Sequence, residues 1–138
     1  MSLLDTMRVF LQSCPYLDHG KINANYLSDH AVEYTVETET ADPILKRYTD
    51  GGTLRQFVFA FAARLPYDAC VADNVAAAQF LEAFSCWVEN QSRAHALPAL
   101  ESGNRADALE VLSGGYLFDA DGKTARYQIQ LRLIYYQN

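Results

Sequence analysis

Alternation of apolar and polar side chains is the feature of this sequence that most constrains its fold. It occurs in three stretches, whose apolar members are Val32, Tyr34 and Val36, then Phe57, Phe59 and Phe61, then Tyr127, Ile129, Leu131, Leu133 and Tyr135. Successive side chains of a β-strand point to opposite faces, so a period of two predicts strands with one buried face. We therefore expect strands over residues 31–39, from Leu54 to Arg64, and at the end of the chain.

Two other segments repeat their apolar residues every three or four positions, which is the period of an amphipathic helix. The first covers about residues 3–14, with Ser2 as its N-cap and Pro15 as its stop signal. The second runs from about Asn74 to Ala94 and follows Asp73, a residue type that caps helices. Its apolar stripe consists of Phe80, Leu81, Phe84, Trp87 and Val88.

The last third of the chain has the pattern of a long hairpin. Asp121-Gly122 is a favoured two-residue hairpin turn. Centring the turn there predicts these pairs: Tyr116 with Tyr127, Gly114 with Ile129, and Leu112 with Leu131. Residues 105–112 also fit a short helix, but the hairpin register favours a strand from about Ala108 onward.

The segment from Thr40 to Thr53 separates the first two strands. It contains Asp42-Pro43 and Asp50-Gly51-Gly52, which favour turns, so it forms either an extended arm or a long hairpin loop. The order of elements is then α-β-(arm)-β-α-β-β. For 138 residues this predicts a single α+β domain spanning residues 1–138, with one mainly antiparallel sheet and two helices packed against it.

The charge balance argues against one class of function. Eleven Lys and Arg residues against 17 Asp and Glu residues give a net charge of -6, and the basic residues are scattered along the chain. Phosphate neutralisation dominates the affinity of nucleic-acid binders, so we expect no sequence-specific nucleic-acid binding. No apolar run has the roughly 20 residues that a membrane helix needs, and the start lacks a secretory signal pattern. We expect an intracellular protein without a membrane partner.

The residues that most often carry chemistry form no catalytic or metal-binding pattern. No metal-ligand spacing occurs among the histidines, which are His19, His30 and His95. No CxxC pair occurs among the cysteines, which we expect to be buried: Cys14, Cys70 and Cys86. Gly122-Lys123-Thr124 lacks the first glycine of a phosphate-binding loop, and Asp119 to Gly122 lacks the closing ligand of a calcium loop. We therefore expect no cofactor, no metal and no enzyme activity.

Several motifs are similar to those of a family of small phage and prophage structural proteins. They include Asp42-Pro43-Ile44-Leu45-Lys46-Arg47-Tyr48, Asp50-Gly51-Gly52-Thr53-Leu54-Arg55-Gln56-Phe57, Leu97-Pro98-Ala99-Leu100, Ser113-Gly114-Gly115-Tyr116-Leu117-Phe118-Asp119, Ala125-Arg126-Tyr127-Gln128-Ile129-Gln130 and Leu133-Ile134-Tyr135-Tyr136. The resemblance covers nearly the whole chain. In size and element order such proteins, some called minor capsid proteins, resemble the tail terminators, or tail-completion proteins, of long-tailed phages.

The resemblance implies assembly as the function. Tail terminators form a hexameric ring that ends the tail tube and offers a surface to the head connector, while DNA passes through the central hole. The implied partners are further copies of the chain, the tail tube protein and the head–tail connector. The implied location is the bacterial host cytoplasm during assembly and the virion afterwards. Two alternatives stay open: another neck or minor capsid protein, and a small enzyme or ligand-binding module built around His19 or His30.

A closed ring requires two different matching patches on each subunit. The arm is one candidate because Arg and Tyr are enriched at interfaces. Two others are the Gln56/Val58/Ala60/Ala62 face and the Arg126/Gln128/Gln130/Arg132 face, and the end of the chain is apolar on both sides. The candidate interface residues are Arg47, Tyr48, Arg55, Gln56, Arg126, Arg132, Tyr135 and Tyr136.

Overall fold

The computed structural model describes residues 2–17, 22–24, 33–66, 71–101, 104–121 and 124–137. Its elements are α1 (Leu3–Leu11), β1 (Asn23–Ala24), β2 (Glu33–Thr38), β3 (Ile44–Arg47), β4 (Thr53–Pro66), α2 (Val71–Arg93), β5 (Asn104–Asp121) and β6 (Thr124–Gln137). Two helices pack against a mostly antiparallel sheet, which confirms the predicted α+β class.

The central strand of the sheet is β4. β6 pairs with it in antiparallel direction from Thr53–Gln137 to Pro66–Thr124. The other edge of β4 is shared by two shorter strands, β2 beside residues 59–64 and β3 beside residues 53–55. β5 lies outside β6, and β1 extends the opposite side as the parallel partner of β2. A single long strand therefore connects both halves of the sheet.

Both helices pack on the face of the sheet that carries the aromatic residues of β4. Phe61 stacks on Phe84 of α2 with ring centroids 4.2 Å apart, and on Tyr34 of β2 at 5.8 Å. α1 joins the same core through Phe10, whose ring centroid lies 5.6 Å from that of Trp87. The core therefore consists largely of the apolar residues that the alternating and helical patterns identify.

α1 is shorter than its apolar pattern. Ser2 caps the helix as expected, since its Oγ accepts the Asp5 N–H at 3.1 Å. The helix ends at Leu11 and not at residue 14. The Gln12 side chain, just past the end, accepts the Ile22 N–H at 3.1 Å and so joins the end of α1 to the segment that precedes β1.

α2 begins at Val71, so Asp73 lies inside the helix, and its prediction as the N-cap is wrong. At the other end the helix closes with a Schellman motif, in which the Ala96 N–H donates to the Gln91 carbonyl at 2.9 Å. His95 occupies the left-handed position of this motif with φ of 55°. The exposed His95 therefore has a structural role, since it forms part of the turn that ends α2. No helix in the described ranges is long and apolar enough to cross a membrane.

The C-terminal hairpin is confirmed, but its predicted register is wrong. β5 is continuous from Asn104, so the short-helix alternative for residues 105–112 is also wrong. The last pair before the turn is Asp121–Thr124, and residues 122 and 123 lie outside the described residues. Four irregularities then shift β5 against β6. Three pairs that result are Tyr116 with Gln128, Val111 with Leu131, and Leu109 with Leu133.

The segment from Thr40 to Thr53 is a hairpin and not a free arm, because β3 folds back along β4. The Tyr48 N–H donates to the Gly52 carbonyl at 2.9 Å, and the Gly51 N–H donates to the Tyr48 carbonyl at 3.1 Å. Gly51 has φ of +93°, a conformation that side chains with a Cβ rarely adopt. This is a type I turn closed by a bulge at glycine, one of the common short hairpin connections.

The stack of Phe61 on Phe84 predicts a large cost for truncating α2 at its core face. Phe84 is fully buried, so Phe84→Ala should lower the free energy of unfolding by about 3–5 kcal/mol, through lost transfer energy and a residual cavity. Val75→Ala is the control, because Val75 lies on the same helix and is 47% exposed. Its effect should stay within about 0.5 kcal/mol in urea titrations. Equal effects of the two substitutions would contradict this packing of α2.

Candidate functional site

One end of the sheet carries a group of cations and tyrosines, which we call the basic–aromatic cluster. It consists of Lys46, Arg47, Tyr48, Arg105 and Tyr136. The β3–β4 turn, the start of β5 and the end of β6 meet there, and the register places Arg105 directly opposite Tyr136. Residues far apart in sequence are thus brought together by the pairing of β5 and β4 with β6.

The cluster has the two rings in its middle and a cation against each. The centroids of Tyr48 and Tyr136 lie 5.9 Å apart with the rings tilted by 43°. Lys46 Nζ is 5.3 Å from the Tyr48 centroid, and Arg105 Cζ is 5.8 Å from that of Tyr136. Both distances fall within the range of cation–π attraction, which holds flexible cationic side chains in place.

Gly52 leaves space for the Tyr136 ring beside the turn. A Cβ at residue 52 would overlap the Tyr136 hydroxyl and ring, so only glycine leaves the ring room to lie over the backbone. The Gly52 N–H also donates to Asp50 Oδ1 at 2.9 Å, which holds the turn. The turn and the aromatic ring therefore support each other, and the cluster is built on the hairpin rather than on a loose loop.

The cations of the cluster have no carboxylate partner within the described part of the chain. None of Lys46, Arg47 and Arg105 forms an ion pair there. The carboxylate of Asp50, at the rim of the cluster, accepts the Gly52 N–H within the turn. The cluster lines an open depression of about 660 Å³. Unpaired guanidinium and ammonium groups beside the exposed Tyr48 and the half-buried Tyr136 can bind carboxylates and other anionic groups of a partner.

Away from the cluster, the helix-free face of the sheet has a different character, because Arg126 and Arg132 form ion pairs across neighbouring strands. Arg126 Nη2 lies 2.6 Å from Glu37 Oε2, and Arg132 Nη2 lies 2.9 Å from Glu110 Oε1. Arg132 Nη1 also donates to Gln56 Oε1 at 3.3 Å. These side chains cross-link neighbouring strands, so the predicted interface residues Gln56, Arg126 and Arg132 brace the sheet.

The two polar faces proposed as separate patches are one surface. β4 pairs with β6 so that Val58 is opposite Arg132 and Ala62 is opposite Gln128. Residues opposite each other point to the same side of a sheet, so the two sets lie side by side on the helix-free face. They do not supply the two distinct patches that a ring contact needs.

The remaining predicted residues lie on the helix side of the sheet. Tyr135 is 6% exposed and belongs to the core, so it presents little surface to a partner. Arg55 is half-buried and its Nε donates to Thr53 Oγ1 at 3.0 Å. Arg105, which sequence reasoning missed as a site residue, enters the cluster through the register of β5.

The thiols differ in their surroundings. Cys14 is buried as predicted, and burial raises the pKa of its thiol. Cys86 is exposed, so its predicted burial is wrong. It lies on the outer side of α2 with Glu82 and Glu89, off the stripe formed by Phe84 and Val88. Cys70, His19 and His30 lie outside the described residues.

No group of three or more potential metal ligands occurs among the described residues. Comparison of the chain with protein-family models and with curated proteins gives no match.

The basic–aromatic cluster is the candidate site on structural grounds. It is exposed and charged, it is built from three separate parts of the chain, and its cations have no carboxylate partner among the described residues.

The difference in burial between Cys14 and Cys86 predicts different alkylation rates for the two thiols. The raised pKa of Cys14 reduces its thiolate at pH 8, and burial blocks access, so iodoacetamide should modify Cys86 at least about tenfold faster. Peptide mass spectrometry of the folded protein measures both rates, and Cys86→Ser identifies the fast site. Raising the pH converts more of Cys14 to the thiolate, so its alkylation rate should rise. Burial should still limit the access of iodoacetamide to this thiol. Equal rates in the folded protein would contradict the burial of Cys14.

Proposed function

We propose that the chain is a structural protein of a tailed phage or prophage, and specifically a tail terminator. Several copies would form a ring on the finished tail tube, stop its growth and present a surface to the head connector. The proposal combines the resemblance of the motifs to tail-completion proteins with a surface suited to contact rather than to chemistry.

The observation that carries the proposal is the convergence of the resembling motifs on one exposed site. The motif that contains Arg47 and Tyr48 is in the β3–β4 hairpin, and the motif that contains Tyr136 ends β6. The contact of Tyr48 with Tyr136 joins them in the basic–aromatic cluster. Tyrosine and arginine are the residue types that dominate the energy of protein interfaces.

The edge of the sheet favours contact through side chains over addition of strands. β5 lies at the end of the strand order, and the Ser92 hydroxyl of α2 accepts its Leu109 N–H at 3.0 Å. Irregular pairing along β5 further disrupts a flat edge. Covered and irregular edges oppose open-ended strand pairing, so a subunit of this kind associates through defined patches.

The net charge of -6 suits a protein that surrounds passing DNA without holding it. A negative surface repels the phosphate backbone over about 8–10 Å at moderate salt, which lowers the affinity for a strand in the channel. The cluster carries three cations, too few to hold duplex DNA tightly at physiological salt.

Removing the side chains of Arg47 and Tyr48 in the β3–β4 hairpin should impair assembly and leave the fold intact. Arg47 and Tyr48 are exposed, so the double substitution to Ala should lower the free energy of unfolding by about 1 kcal/mol or less. Interface anchors of these types cost about 2 kcal/mol or more when truncated, so ring formation or docking on tail tubes should fall at least about tenfold. Light scattering and counts of completed tails by electron microscopy measure the two effects.

Tyr16→Ala is the control, since Tyr16 is exposed and lies outside both the cluster and α2. This control should assemble like the unmodified protein. Normal tail completion by the Arg47/Tyr48 variant would place the partner surface elsewhere, and a strict monomer that is absent from purified tails would overturn the proposed function.

A further inference from the structure

The outer side of α2 carries a second group of charges, which are the carboxylates of Glu82 and Glu89 and, one turn beyond Glu89, the guanidinium of Arg93. Glu82, Cys86 and Glu89 are exposed and follow each other at spacings of four and three residues, so they form one line along the helix. We call this line the acidic stripe. Neither glutamate forms an ion pair within the described ranges. The opposite side of the helix packs against the sheet, so the acidic stripe has no evident role in holding α2 there.

The carboxylates of the acidic stripe and the cations of the basic–aromatic cluster are opposite in charge. Glu82 and Glu89 lie two turns apart, about 10 Å along the axis. Lys46 and Arg105 flank the pair of tyrosine rings, and their side chains are long enough to adjust to that spacing. Between the glutamates the stripe has only the small Cys86 side chain, which leaves room for the rings.

We propose that the basic–aromatic cluster of one copy docks on the acidic stripe of a second copy. The contact rests on the proposed ring and specifies which two patches form it. Lys46 and Arg105 pair with the carboxylates of Glu82 and Glu89, while the tyrosine rings lie against the helix surface near Cys86.

Charge favours the acidic stripe of a second copy as the partner of the cluster over two alternatives, which are the cluster of another copy and a nucleic acid strand. Cluster-to-cluster contact would bring three cations against three more, and like charges at an interface are repelled. A nucleic acid strand would be repelled by the net charge of -6. The two patches lie on different elements, so the contact is heterologous: each copy uses its cluster on one neighbour and its stripe on the other. Repeated contacts of this kind close into a ring when the rotation permits.

A disulfide test uses the natural Cys86. Thr49 is exposed in the hairpin turn and lines the cluster, so Thr49→Cys places a thiol beside the rings without removing a ring or a cation. Mild oxidation of the purified protein should then link copies into dimers, trimers and larger species on non-reducing gels. A heterologous contact gives such a ladder, whereas cluster-to-cluster contact stops at dimers. Thr49→Cys with Cys86→Ser should give at least about tenfold less product, as should the unmodified chain.

Charge reversal provides an independent test. Arg105→Glu should weaken self-association at least about tenfold. Adding either Glu82→Lys or Glu89→Lys, whichever carboxylate Arg105 faces, should recover most of the loss, because the reversed pair attracts again. Ser13→Lys, at an exposed position just past α1, is the control for added positive charge, and it should give no recovery. The association should also weaken as salt rises.

The outcomes separate this contact from the proposed function. Rings that form without the ladder and without charge recovery would overturn the contact and leave the tail terminator proposal standing. Loss of tail-tube binding in Arg105→Glu with unchanged self-association would assign the cluster to the tube. Submicromolar binding of a single-stranded oligonucleotide, lost in Arg105→Glu, would assign it to nucleic acid. Absence of both ladder and oligomer at every concentration would overturn the contact and count against the ring.

Discussion

The rest of the structure depends on the pairing of β4 with β6. The two strands run antiparallel over the full length of β4, and every other strand except β1 attaches to one of them. On one side β4 presents Phe57, Phe59 and Phe61 to the helices, and the stack of Phe61 on Phe84 fixes α2 over the centre. At one end the same pairing brings the β3–β4 turn beside Tyr136, so the site is a direct product of the core strand pair.

The architecture was predictable because its causes are local. Alternation identified the three main strands, and three- and four-residue spacing identified both helices. The hairpin register was not predictable, because each irregularity in β5 adds a residue that no period in the sequence reveals. The same shifts decide that Arg105 meets Tyr136, which is why the site could be only partly anticipated. Cys86 has apolar neighbours in sequence, but its position around the helix directs it away from the core.

Two parts of the helix-free face divide structural and contact roles, since Tyr136 lies on the same side of β6 as Arg126 and Arg132. Arg126 and Arg132 pair with Glu37 and Glu110 across strands, so those charges stabilise the sheet itself. The cations of the basic–aromatic cluster have no such partner in the described part of the chain, and they lie against the tyrosine rings, of which Tyr136 occupies the space left by Gly52. A fixed but unsatisfied surface is what a subunit needs for recognition, because little ordering cost remains at binding.

Cryo-electron microscopy of the concentrated protein tests the central claim, that the cluster is a surface for assembly, most directly. We expect closed rings in which Tyr48 and Tyr136 of each subunit lie at the junction with a neighbour, against the outer side of its α2. Rings with the cluster facing solvent, or subunits joined through the helix-free face around Arg126 and Arg132, would contradict it.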